Sequence, residues 1–598
     1  MSAARSGPAA RSEPAARAVR SARSEPPESG GPFRDGPPGQ DGLTIPAAAR
    51  SGRGARAFIL ASTLWLALTG AWLARHTYDD VYIAARYAEN LAAGQGMVFN
   101  AGDRVEGASD LLWVLVLALL RKVGIPVVAA AKIIGVVLVS AVPLVVFLAG
   151  RALPGAPGGG LVAAVFCAMS APLAFWAGNG LEAGAQAFVV MLAVLMALRE
   201  TGTGFPAAAP VFLAAALLRP EGVALSVPYL GLLWWRVCRG RISARAGTLA
   251  TVIILGGVVA VTAFRLFYYG DPVPNTWWAK EANPALWTIG RGTDYLTDFI
   301  SESGGWMLVF LAVIPLACAG IPPAPAAGIP RASGPSGNPG PVAPATPPAA
   351  GEASPCSNPA GGGALLVAGT LAMQVAFILC SGRDWMEGYR FMVPVIPLLC
   401  LLVGSGAALV HGALGRALAP RRLAVVAALA GALFAFVSLR GLLGLDGRMQ
   451  QYGKSIASGH AALAEWLRGA VPAGTLLAIG DGGLVPYATG LPSVDLQGLT
   501  DRFIARHGPL EGARHVLLER RPGVLVLRLK VREPAPGVLM HHSPFQVDGC
   551  IAGDPALERD YVFLRAWPYG PDYDLHVYVR RDLAKAPARR TGPLKGLY

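Results

Sequence analysis

Two adjacent carboxylates, Asp79 and Asp80, close the stretch His76-Thr-Tyr-Asp-Asp80, just after the first long apolar run of the chain. Neighbouring acids titrate as a coupled pair, and repulsion with partial burial raises one of them towards a useful general base. Such a base takes a proton from an acceptor hydroxyl, provided cationic or hydrogen-bonding groups hold the leaving group. The groups that could do so recur later, in short polar stretches between apolar runs: Asn179-Gly-Leu-Glu182, Arg219-Pro-Glu221, Tyr268 to Thr276 with Asn275, and Gly382-Arg-Asp-Trp-Met-Glu-Gly-Tyr-Arg390. Asp79, Asp80 and Glu182 are the catalytic candidates. His76, Tyr78, Arg219, Glu221, Asn275, Arg383, Asp384 and Arg390 are the substrate-side candidates.

What must position these groups is a membrane. The chain has 598 residues, 53% hydrophobic and 15% charged, with a mean hydropathy of +0.47, whereas soluble domains carry about a quarter charged residues. A net charge of +14 does not indicate nucleic acid, because the arginines crowd into the N-terminal tail and short inter-helix loops, as positive-inside bias requires. The seven cysteines are scattered without a CxxC pair or a His-bearing metal spacing. Acids in outer loops could hold a divalent cation through oxygen ligands, yet no spacing specifies one, so no cofactor is assigned.

Residues 1–56, rich in Ala, Arg, Ser and Pro, read as a disordered cytoplasmic tail. The first span is 57–74, long enough to cross a bilayer. Ten more follow at 126–149, 159–177, 183–198, 205–219, 222–235, 246–264, 305–322, 363–381, 391–410 and 423–440, making a membrane domain over 57–440. The first outer loop, 76–125, holds a helix that starts at Val81, with Asp80 as its cap and Gly94 at its end, lying on the membrane surface. The apolar piece Leu111 to Leu120 is about half the length a crossing needs and reads as interfacial or re-entrant. This parity places Arg151, Arg199, Arg236, Arg239, Arg241, Arg245, Arg416, Arg421 and Arg422 inside, and every candidate site residue outside. Residues 322–362 are a Pro/Gly/Ala-rich linker expected to be disordered. From 441 to 598 the composition suits a soluble α/β extracytoplasmic domain. It has an amphipathic helix at 458–470 and strands at Thr475–Ile479, Ser493–Leu496, Gly523–Arg528, Tyr561–Leu564 and His576–Val579. Gly480-Asp-Gly-Gly483 lacks the spacing of a phosphate loop and reads as a plain turn.

Each candidate also has a structural reading. Asp80 as a cap and Asp79 as a solvated turn residue stand beside catalysis. Glu182 sits at a helix edge where an acid is costly, yet a cap role fits it too. Arg219 and Glu221 could simply pair with each other, and Asp384, Glu387 and Arg390 could form a salt-bridge set. Arg265 and Lys280 read as interfacial snorkellers, and Trp277, Trp278 and Trp385 as aromatic-belt anchors.

The stretch Tyr78-Asp-Asp-Val-Tyr-Ile-Ala-Ala-Arg-Tyr-Ala-Glu-Asn-Leu-Ala-Ala-Gly-Gln-Gly-Met-Val-Phe-Asn100 and then Arg104-Val-Glu-Gly107 resemble the first outer loop of GT-C glycosyltransferases related to the mycobacterial terminal arabinofuranosyltransferase. The resemblance extends through Gly180-Leu-Glu182, Leu218 to Gly222, Gly270 to Thr276, Trp385 to Phe391 and Asp495 to Asp501, and breaks only at the 322–362 linker. It implies a polytopic α-helical GT-C membrane protein with an extracytoplasmic α/β domain, sited in a bacterial cytoplasmic membrane. Its implied reaction is an inverting transfer of a sugar from a polyprenyl-phosphate donor to an envelope glycan or lipid acceptor outside the membrane. It makes the pair matching Asp79 and Asp80 the catalytic motif. A transporter or flippase of lipid-linked sugars is the alternative, and it would call for mid-membrane charges and internal repeats. An envelope scaffold with a binding domain on a membrane anchor would need few spans.

Overall fold

The computed structural model describes residues 52–153, 158–201, 204–280, 285–319, 359–535, 538–570 and 573–584. The expected tail before residue 52 and nearly all of the 322–362 linker lie outside these residues. Among the described residues six helices are long and apolar enough to cross a membrane: Arg53–Leu73, Val127–Ala152, Ala244–Tyr268, Gly362–Ser381, Val393–Ala417 and the helical run that begins at Pro420. Two bent pairs could each act as one further span, Gly159–Ala168 with Ala171–Gly178 at 56° and Trp287–Glu302 with Met307–Ala317 at 99°. Three shorter apolar helices, Ala183–Arg199, Ala208–Leu218 and Gly222–Cys238, complete the set. Against the eleven expected spans, the described residues hold six helices of crossing length, or eight if each bent pair is one span, and the expected spans 183–198, 205–219 and 222–235 fall on the three shorter helices.

Small residues set the tightest helix contacts. A Cβ on Gly404 would meet the Ala163 backbone nitrogen at 2.5 Å, so the helices Ile396–Ala417 and Gly159–Ala168 approach backbone to backbone. Ala, Val and Leu dominate the core formed there, which also takes in Trp176, Phe175 and Tyr78. The apolar faces left bare, such as Leu60, Phe267 and Phe436, suit a lipid environment.

The stretch 76–125 forms the helices Val81–Ala92 and Leu111–Lys122, the latter 12 residues long and thus short of a crossing. The helix at Val81 does not rest on an open surface as expected: Val81 to Ala88 are all buried. It packs against the helices Leu111–Lys122 and Leu484–Thr489.

The helix Pro420–Ile456 runs for 37 residues from the apolar region into the polar C-terminal region. The C-terminal region carries β1 (Leu477–Ile479), β2 (Ser493–Asp495), β3 (Val524–Ala535), β4 (Val538–His542), β5 (Tyr561–Pro568) and β6 (Asp574–Arg580). The sheet order is β2-β1-β3-β6-β5, with β4 on the far end of β3. β1 pairs parallel with β2 and β3, while β6 pairs antiparallel with β3 and β5. Both faces of β1 and the first half of β3 are buried, which explains their unbroken apolar runs.

Candidate active site

Adjacent in sequence, Asp79 and Asp80 differ in environment. Asp80 begins the helix Val81–Ala92 but does not cap it. Its φ and ψ of −59° and −23° are already helical, and its side chain makes no capping bond. A capping residue needs extended backbone to reach back over the first turn. The open amides of that turn are met instead by carbonyls, with Val81 N donating to Tyr78 O, Tyr82 N to Asp79 O and Ile83 N to Asp80 O. Among the described residues, nothing donates to or pairs with the Asp80 carboxylate, which is half-buried. Burial, against the pull of Arg390 and with repulsion from Asp79, pushes its carboxyl up to about 7.

Asp79 is buried and fully engaged. Its Oδ2 accepts from Gly483 N at 2.9 Å, its Oδ1 from Leu484 N at 2.7 Å, and its own N donates to the Tyr452 hydroxyl at 3.2 Å. It therefore caps the helix Leu484–Thr489 in the C-terminal region, and Gly480-Asp-Gly-Gly483 is a contact surface as well as a turn. A Cβ on Gly483 would collide with the Asp79 carbonyl oxygen and come within 2.5 Å of its Oδ2.

Around Asp80 the structure gathers charges from four loops. Arg219 pairs with Glu182 at 2.5 Å and with Glu221. Burial works against the Arg219 charge, but Glu221 and Glu182 outweigh it and keep the guanidinium protonated. Arg390 Nη2 donates to Asp384 Oδ1 at 3.1 Å, and its Nε lies 2.9 Å from Oδ2. Asp80, Arg390, Asp384 and Lys280 lie within electrostatic range of one another, and Arg219 and Glu182 act on the same group. Lys280 ends the short helix Asn275–Lys280; its side chain is exposed and lies within electrostatic range of Asp80 and Asp384. Arg265 does not snorkel: it grips the buried Glu106 through two nitrogens at 2.8 and 3.0 Å.

Four substrate-side candidates serve other contacts. His76 Nε2 lies 2.6 Å from Asp446 Oδ1 on the helix Pro420–Ile456, and Arg75 shares that oxygen. Asn275 Nδ2 donates to the backbone carbonyls of Gly498, Leu499 and Asp501, so it docks the C-terminal region. Arg383 is exposed and pairs with Asp298 at 2.6 Å. Tyr78 accepts from Glu387 N at 2.7 Å and is boxed by Phe175, Trp176, Trp385 and Tyr452, so it fixes the loop that carries Asp384 and Arg390. Trp176 pins the same loop by donating to Gly388 O at 2.7 Å.

The sequence reading missed Asp110, a buried acid in the range of Glu182 and Arg219, whose carboxyl burial and Glu182 push up. It also missed a buried polar core in the C-terminal region. Asp481 accepts from Arg528 Nη1 and from the Tyr573 hydroxyl, both at 3.1 Å, and lies 3.1 Å from His460 Nε2. Arg528 also pairs with Asp548 at 2.7 Å. A cation inside the otherwise apolar run Val524–Leu529 was the available signal, since such a charge needs a partner. Among the described residues no group of three or more His, Cys, Asp and Glu is arranged to hold a metal ion.

A largely apolar groove opens beside the Asp384–Arg390 loop. Phe166, Met169, Leu399, Val403 and Phe434 line it together with Glu302, Tyr389 and Arg448.

Residues 445–580 match a family described as Domain of unknown function (DUF8728). The chain is similar to the terminal beta-(1->2)-arabinofuranosyltransferase of Mycobacterium tuberculosis, 30% identical over 287 residues that cover 42% of this chain and 43% of that protein. The Corynebacterium glutamicum protein of the same name is 29% identical over 309 residues, covering 44% and 42%. The chain thus spans less than half the length of the curated relatives it matches. In fold it resembles the Archaeoglobus fulgidus oligosaccharyltransferase, with a TM-score of 0.51 and 11% identity over 86% of this chain and 80% of that one. The polytopic helical bundle with its appended α/β region is accordingly a GT-C fold.

Proposed function

We propose that the chain is a membrane glycosyltransferase that moves a sugar, arabinofuranose by similarity to its relatives, from a polyprenyl-phosphate donor to an envelope glycan or lipid acceptor on the extracytoplasmic face. The observation that carries this reading is the Asp80 carboxylate, half-buried and unpartnered among the described residues beside Arg390 and Lys280. A carboxyl raised to about 7 is matched to proton abstraction near neutral pH.

The reaction follows from these groups. Asp80 accepts the proton of the acceptor hydroxyl as that oxygen attacks the anomeric carbon. The bond from anomeric carbon to phosphate oxygen breaks on the opposite face, so the configuration inverts, and the polyprenyl phosphate leaves with one more negative charge. Arg390 and Lys280 stand where cations stabilise that charge, while Glu182 and Glu221 hold Arg219 and Asp384 holds Arg390 in fixed positions. The largely apolar groove suits a polyprenyl chain whose phosphate lies next to the Asp384–Arg390 loop. A phosphate carried on a bilayer-soluble tail explains why the charged groups sit at the end of an apolar bundle.

Purified full chain in lipid, given polyprenyl-phosphoryl arabinofuranose and an arabinan acceptor, tests the reading. Asp80→Asn is expected to lower kcat by on the order of 10²- to 10⁴-fold with donor KM little changed. Undiminished transfer by Asp80→Asn would remove the base from the proposal, and no transfer by the native chain would remove the activity.

A further inference from the structure

We propose that the C-terminal region is a positioning element of the active site, its Gly480–Leu484 turn holding Asp79 so that the neighbouring Asp80 is fixed among the charges of the cleft. The inference rests on the glycosyltransferase reading above and gives a role to the segment that matches a domain of unknown function.

The argument is one of geometry. Both carboxylate oxygens of Asp79 accept backbone amides of the turn, and its backbone N donates to Tyr452. With side chain and main chain both anchored, residue 79 has little freedom left. The next Cα, that of Asp80, is about 3.8 Å away across one planar peptide. Each Asp79 oxygen is buried and already accepts a backbone amide, whereas among the described residues neither oxygen of Asp80 accepts a hydrogen bond. The adjacent acids therefore divide the work: Asp79 positions and Asp80 reacts.

The turn that grips Asp79 is itself braced from behind. Asp481 is tied to Arg528, His460 and Tyr573, and the Arg528 guanidinium lies so close to Gly480 that a Cβ there would collide with it. Further contacts hold the same two regions in register. Arg86, on the helix that Asp80 begins, donates to Pro486 O at 2.6 Å and Leu491 O at 2.8 Å. Asn100 exchanges two hydrogen bonds with the backbone of Ser493. Those contacts dock the C-terminal region, but only the turn acts on the residue next to the base.

The experiment uses the full chain in lipid with polyprenyl-phosphoryl arabinofuranose, reading kcat, donor KM and the pH profile of kcat. Gly483→Ala drives a methyl group into Asp79 and displaces the pair. A misplacement of about 1 Å costs on the order of 10²-fold in rate, so kcat is expected to fall by that order with donor KM within threefold. Gly512→Ala, in the same region where a Cβ meets only ordinary contacts, is expected to match the native chain. Asp79→Asn keeps the shape but gives up one amide bond, and serves if Gly483→Ala does not fold. Its kcat is expected to fall less than that of Asp80→Asn, with the acid limb retained and displaced to lower pH because a like charge beside Asp80 is gone. Native kcat in Gly483→Ala, or an acid limb that disappears in Asp79→Asn and persists in Asp80→Asn, would overturn the positioning role while leaving the glycosyltransferase reading intact. Failure of the native chain to transfer sugar would overturn both.

Discussion

Two buried charge clusters lie on either side of Asp79, and they are built to different rules. In the C-terminal cluster every acid is answered: Asp548 and Asp481 share Arg528, and His460 and Tyr573 complete Asp481. Burial pushes the Asp481 carboxyl up, but Arg528 and His460 outweigh it and hold it well below the usual range. In the cluster around Asp80, the arginines are also paired, yet among the described residues Asp80 has no partner, and burial raises it. In the first cluster both carboxylates are paired. The second leaves one carboxylate half-buried and unpaired among the described residues, which is the difference that the proposed chemistry at Asp80 rests on.

The comparison breaks most readily at Arg528. Arg528→Met leaves Asp548 and Asp481 buried without their cation, and removing one member of a buried pair costs about 3–5 kcal/mol. The expected outcome is loss of the folded C-terminal region, read as a large drop in unfolding temperature and as rapid proteolysis beyond residue 456. A variant with an unchanged unfolding temperature would show that Arg528 does not hold the fold and would undo the distinction.

How much of this was legible in the sequence follows from the reach of each interaction. Apolar runs and breaks are local, so the spans, the short 111–122 helix and the strands of the C-terminal region could be read directly. The aspartate pair was visible because the two acids adjoin and follow a crossing. The difference between the two acids was not, since the bonds of Asp79 go to a turn some 404 residues further along the chain. The same limit hid the partners of His76 and Asn275, since Asp446 and the 498–501 backbone lie far away in sequence. Arg265 failed likewise, because Glu106 is 159 residues distant. Gly480-Asp-Gly-Gly483 was read as a plain turn because nothing in the run itself shows Arg528 on one side and Asp79 on the other.

A smaller effect sharpens the comparison through stability alone. The Asp80 carboxyl is raised from its ordinary 3.8 to about 7, so the folded state binds its proton more tightly than the unfolded state does. Stability is then lost as pH rises from about 4 towards 7, where the unfolded chain ionises first. Asp80→Asn removes that loss. The variant is expected to unfold at a higher temperature than the native chain, with a gain larger at pH 8 than at pH 5, in opposition to the fall in kcat expected of it. A variant less stable than the native chain at pH 8 would mean that Asp80 makes a stabilising contact and is not held for chemistry.

The smallest expected effect has the opposite sign and belongs to the C-terminal cluster. Burial lowers the tendency of His460 to protonate, but its bond to Asp481 and the charge of Asp79 outweigh burial and raise it above its ordinary 6.5. A raised folded value means that the protonated ring stabilises the fold below that ordinary value and ceases to do so as pH climbs through the folded one. His460→Gln is therefore expected to lower the unfolding temperature more at pH 6 than at pH 9. The loss of ring packing on Tyr569, whose centroid lies 4.6 Å away, adds an offset that does not depend on pH. Thermal unfolding of the full chain in lipid at the two pH values separates the terms. Equal losses at both would show that His460 is neutral in the folded chain, and Asp481 would then be held by Arg528 and Tyr573 alone.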